Sequence, residues 1–78
     1  MTLKLRDGWK TCETDCSIYL YAPEGLIFGS GWYVEIDRDT EIVWASANGG
    51  HDSVRCESIE EAHEYLLSVG SESPWEEA

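Results

Sequence analysis

Positive charge is the scarcest property of this sequence. Its 78 residues carry five lysines and arginines against sixteen aspartates and glutamates, a formal net charge of −11 at pH 7. The shortage is uneven. Lys4, Arg6 and Lys10 stand with Asp7 in the first ten residues, so residues 11–78 hold fifteen acids and two bases, Arg38 and Arg55, a net of −13. Such a surface repels phosphate backbones, which excludes direct nucleic-acid binding, and its self-repulsion works against a compact state.

Other scarcities narrow the class further. No apolar run approaches the roughly 18–20 residues of a membrane span, and MTLKLRDGWK lacks the roughly 7–15-residue apolar segment of a secretory signal, so a cytoplasmic protein with no membrane partner is expected. Three cysteines, Cys12, Cys16 and Cys56, are an odd count for a disulfide framework. A zinc site made from them with His51 or His63 needs close ligand pairs at both ends, and TCETDCS (11–17) supplies one. Glu13 and Asp15 beside the thiols disfavour a thiolate, against a nucleophilic cysteine. Reduced thiols without metal or cofactor are the expectation, with a disulfide or zinc as the alternatives. His51 reads as an exposed turn residue and His63 as a helix-surface residue. Acid–base catalysis needs two carboxyl environments that push pKa values apart, and a uniformly acidic surface offers none. Gly29-Ser30-Gly31 lacks the lysine and the following helix of a phosphate loop. The chain therefore reads as a binding protein and not as an enzyme.

What is present favours sheet. The chain is 42% hydrophobic with four Trp, four Tyr and one Phe, enough to fold one small domain. Leu3 and Leu5 alternate with polar neighbours as a strand over 2–6, and Asp7-Gly8 marks a turn. Residues 9–16 hold no period and read as a loop. SIYLYA (17–22) is a second strand, Pro23-Glu24-Gly25 a turn, Leu26-Ile27-Phe28 the returning strand and Gly29-Ser30-Gly31 a bulge. Residues 32–37 and 41–46 form a hairpin in which Ile36 pairs with Ile42 and Val34 with Trp44 around the three-residue loop Arg38-Asp39-Thr40, with Trp44 inside. Asn48-Gly49-Gly50 is another turn, and 53–56 a short strand. Ser58-Ile59-Glu60-Glu61 is a capping box that opens a helix over 59–69, and Gly70 stops it.

The fold class predicted is α+β: an antiparallel sheet of four or five strands with one C-terminal helix packed on one face. Curling of 17–37 into a small barrel is the alternative. Residues 1–70 form the domain, and 71–78 are a polar tail, removable at little cost, whose Trp75 docks on the sheet or anchors a partner.

In that register Asp37 faces Glu41 on the outer side of the hairpin, with Glu35 next along and Asp39 at the tip. Like charges opposite one another destabilise a sheet, so a row of them asks for a reason. Tyr33, and Tyr19 or Tyr21, are its flat neighbours. Glu60, Glu61 and Glu64 add charge on the helix, where the first two also favour the helix start. The candidate partner-binding residues are thus Tyr33, Glu35, Asp37, Asp39, Glu41, Glu60, Glu61, Glu64 and Trp75. A merely solvated face, or the surface of a salt-adapted protein, competes with this reading.

The GWYVEIDRDTEIVW hairpin (31–44), the SIEEAHEYLL helix (58–67), the short length and the acidic balance resemble, in plan, the small phage-encoded anti-CRISPR proteins and DNA mimics. The resemblance spans the whole chain and rests on strategy, not on a shared motif, so it assigns no residue a role. It implies an inhibitor that occupies the basic nucleic-acid-binding surface of a partner such as a CRISPR effector inside a bacterial cell. A small regulatory or accessory module, antitoxin-like and non-enzymatic, is the alternative.

Overall fold

The computed structural model describes residues 2–23, 31–50 and 52–78. Within them run seven strands and one α-helix: β1 (Leu3–Leu5), β2 (Lys10–Glu13), β3 (Ser17–Tyr21), β4 (Val34–Asp37), β5 (Val43–Ala45), β6 (Val54–Cys56), α1 (Ile59–Ser68) and β7 (Trp75–Glu77). Strands β2 to β6 form one antiparallel five-stranded sheet in chain order, and β1 pairs antiparallel with β7 in a second sheet. With α1 packed on β5 and β6, the architecture is α+β, an open sheet and not a barrel. No helix among the described residues is long and apolar enough to cross a membrane. The expected strand at 26–28 and most of the bulge before Gly31 lie outside the described residues, as does His51.

Alternation along each strand sorts the side chains. Leu20, Val34, Val43, Ala45 and Cys56 enter one core with Ala62 and Leu66 of α1 and with Trp75, and Ile18, Ile36 and Leu3 pack around it. The helix is opened as its sequence predicts: Ser58 Oγ accepts the Glu61 amide at 3.1 Å, while Glu61 Oε2 accepts the Glu57 amide at 3.2 Å. Gly70, at φ 75°, closes it. The Ser71 amide then reaches Leu66 O and the Gly70 amide reaches Leu67 O, the paired bonds of a left-handed helix stop.

Four local expectations are corrected. Residues 10–13 are a strand and not a loop. Thr14 Oγ1 accepts the amides of Cys16 and Ser17 at 3.3 and 3.0 Å, and the Thr14 amide donates to Ser17 O at 2.8 Å, so a Thr-headed turn joins β2 to β3 without glycine or proline. The β4–β5 hairpin is one residue out of the expected register. Ile36 pairs with Val43, Glu35 with Trp44 and Val34 with Ala45. The loop holds four residues, 38–41, because Glu41 takes the left-handed conformation at φ 63°. A shift of one residue moves a whole strand to the other face, so Val43 and Ala45 are buried and Trp44 is not inside.

The third correction concerns residues 71–78, which are part of the fold. Trp75 pairs with Leu5, and its side chain is 5% exposed in the core. Pro74 and Ser73 are also fully buried. The Arg6 amide donates to Pro74 O at 2.8 Å, Arg6 Nε donates to Trp75 O at 3.0 Å, and the Ala78 amide donates to Thr2 O. A polar composition hid this because the strand that completes it lies at the other end of the chain. His63 is buried rather than on the helix surface, with Nδ1 2.6 Å from Ser73 Oγ. That hydroxyl also accepts the Trp75 amide at 3.3 Å. Shared between His63 Nδ1 and the Trp75 amide, the Ser73 hydroxyl ties the helix to β7 and satisfies three buried groups together.

Candidate functional site

The face of the five-stranded sheet turned away from α1 carries the other half of each alternating pattern. Directly paired residues line up across it: Cys12 beside Tyr19, Tyr19 beside Glu35, Glu35 beside Trp44, and Trp44 beside Arg55. Adjacent strands lie about 4.8 Å apart, so Tyr19 and Trp44 flank Glu35 with their backbones about 9.6 Å from each other. Trp32 backs Tyr19, with ring centroids 5.8 Å apart and planes inclined at 58°. Tyr19, Trp32, Glu35 and Trp44 are all half-buried.

Glu35 is held in place. The buried Ser17 donates its hydroxyl to Glu35 Oε2 at 2.7 Å, and no basic side chain among the described residues lies within ion-pair distance of the carboxylate. A carboxylate held by Ser17 on the strand between those that carry Tyr19 and Trp44 has the composition of a cation receptor: negative charge in the centre and aromatic side chains with negative ring faces on the neighbouring strands.

The other predicted site residues are dispersed. Asp37 follows Glu35 on the same face, but its carboxylate organises the turn: Oδ1 accepts the amides of Asp39 and Thr40 at 2.8 and 3.1 Å. The Thr40 amide first, then that of Asp39, hold its carboxyl below the usual aspartate range. Asp37 does not face Glu41, since the Asp37 amide donates to Ile42 O and the Glu41 amide returns to Asp37 O. Asp39 and Glu41 are exposed at the hairpin tip, apart from the Tyr19–Glu35–Trp44 row. Tyr33 packs edge-on against Trp9, with centroids 5.0 Å apart, and rests on the core. Glu60, Glu61 and Glu64 are exposed on the helix, which covers the opposite face of the sheet. The hairpin and helix acids therefore form two surfaces, not one, and buried Trp75 belongs to neither.

The cysteines do not converge. Cys12 is exposed on edge strand β2, Cys16 is exposed in the following turn, and Cys56 is buried in the core on the other side of the sheet. Burial, and then the charges of Glu61 and Glu57, push the Cys56 thiol pKa up. No group of three metal-binding side chains occurs among the described residues.

Trp44, Trp32 and Ser17 are the residues that sequence reasoning left out of the site. Trp44 follows from the β4–β5 register, and nothing in Thr40-Glu41 announces a left-handed residue where glycine or asparagine is the usual choice, while Ser17 is brought to Glu35 by the β3–β4 pairing. Comparison with known proteins finds no matching family model, no similar curated protein and no similar solved structure.

Proposed function

We propose that this chain is a non-enzymatic binding protein whose acidic surface occupies the nucleic-acid-binding surface of a cationic partner, such as a CRISPR effector or another nucleic-acid-binding enzyme. The observation that carries the reading is an uncompensated carboxylate excess. Among the described residues three ion pairs occur, Lys4–Glu76, Arg38–Glu13 and Arg55–Glu57, at 3.7, 3.4 and 3.8 Å, all at the surface. Both bases of residues 11–78 are thereby engaged. Arg38 is further committed to Thr14 O at 3.1 Å, joining the β2–β3 turn to the β4–β5 hairpin. Asp39, Glu41, Glu60 and Glu64 have no basic neighbour within ion-pair distance among the described residues and stand in solvent.

Charges so placed gain nothing internally and favour encounter with a positive surface, the surface that binds phosphate backbones. Competition follows from sharing that surface. The immobilised chain should therefore capture, at low salt, a basic nucleic-acid-binding protein that added double-stranded DNA releases. Retention of every captured protein in excess DNA, or capture of none, overturns the reading.

A further inference from the structure

We propose that Glu35, with Tyr19 and Trp44 on either side, is the receptor for an arginine side chain of the partner. The inference rests on the acidic-binder reading above and names the part of the surface that gives it specificity.

Strand spacing suits a planar cation. A guanidinium stacked between two rings needs about 3.5–4 Å on each side, or about 7–8 Å in all. The strands supporting Tyr19 and Trp44 are about 9.6 Å apart, a spacing that matches one planar group between side chains standing on them. The acceptor is prepared as well. Ser17 satisfies Glu35 Oε2 at 2.7 Å and orients the carboxylate, and Oε1 has no hydrogen-bond partner among the described residues. The chain's own Arg55 stands on the far side of Trp44, with Nε 3.8 Å from Glu57.

Charge complementarity selects the occupant. An apolar partner laid on this face would desolvate Glu35 without compensation, which is costly for an ionised group. A second copy brings another formal charge of −11, and like charge repels. A cationic side chain satisfies the carboxylate and the ring faces together. Arginine fits better than lysine because its planar group stacks on aromatic faces while its edge N–H groups donate to the carboxylate, whereas an ammonium is a compact and strongly hydrated point charge.

A nine-residue arginine peptide and its lysine counterpart, titrated into the ¹⁵N-labelled chain at low salt, test this. The arginine peptide should shift the indole N–H resonances of Trp32 and Trp44 and bind about fivefold more tightly than the lysine peptide. Glu35→Gln, whose amide oxygen still accepts from Ser17, should weaken arginine-peptide binding about tenfold. Trp44→Leu should remove the preference for arginine over lysine. The combined Glu60→Gln and Glu64→Gln variant should weaken both peptides to the same small extent and leave the preference for arginine intact, since it removes screened charge on the opposite face. Equal binding of the two peptides, or a larger loss from the helix variant than from Glu35→Gln, overturns the receptor assignment and leaves the acidic-binder reading standing. Failure of both peptides to bind at low salt overturns both.

Discussion

Trp75→Ala lowers the stability of the domain by about 3–5 kcal/mol, the usual cost of removing a large aromatic side chain from a packed core. The stability of a 78-residue domain lies around 4–12 kcal/mol at about 0.05–0.15 kcal/mol per residue, so this one change removes between a quarter and all of it. Trp75 joins the core cluster from the end of the chain and holds β7 against β1. Ending the chain at Gly70 removes more: the indole, the β1–β7 pairing and the Ser73 hydroxyl that contacts buried His63 at 2.6 Å. That shortened chain should be unfolded at 25 °C. Thermal melts read both variants. At about 4–8 °C per kcal/mol, Trp75→Ala should melt at least about 12 °C lower. A shift of only a few degrees, or a cooperative melt of the shortened chain near that of the full one, contradicts the placement of Trp75 in the core.

The one-residue difference in the β4–β5 hairpin leads to an equally large effect at neighbouring positions. Val43, 2% exposed, faces the helix, whereas half-buried Trp44 faces away from it. Val43→Asp should prevent folding, because a buried unpaired carboxylate costs more than a domain this small has to spare. Trp44→Thr should leave a folded protein, with a loss under about 2 kcal/mol, since threonine suits a solvent-facing strand position. Circular dichroism and urea unfolding distinguish the two variants. The opposite order of tolerance, with Trp44→Thr unfolded and Val43→Asp folded, would show that Ile36 pairs with Ile42 after all and that Trp44 is inside.

Local chemistry made some of this architecture legible and left the rest hidden. The helix was readable to within a residue because Ser58, Glu61 and Gly70 each act on backbone groups a few positions away. Strand β3 was readable from its β-branched and aromatic run. Strand β7 was not, because WEE gains its partner from LKL some seventy residues earlier and pattern carries no such pairing. The β4–β5 register failed on a single backbone angle, Glu41 at φ 63°, which a glutamate adopts only against its intrinsic preference. Asp37 offers the compensation, since its carboxylate accepts two amides of the loop that ends in Glu41. For the candidate site, alternation put Glu35 in an outer row with Tyr33 and either Tyr19 or Tyr21 as flat neighbours, and the strand pairing sets Tyr19 beside Glu35. Trp44 was assigned to the wrong face by the register error, so the cation receptor it completes was invisible in the sequence. Charge alone drew attention to Glu60, Glu61 and Glu64, and the topology separates them from the hairpin.

Under the proposed function, the chain and nucleic acid exclude each other on one partner surface. The most direct measurement is the affinity of a captured partner for double-stranded DNA, with and without the chain present at about 100 times its own dissociation constant. Competition for one surface predicts that the apparent DNA affinity falls about 100-fold under those conditions, in proportion to the free chain. A DNA affinity unchanged while the chain remains bound, giving a ternary complex, would contradict it.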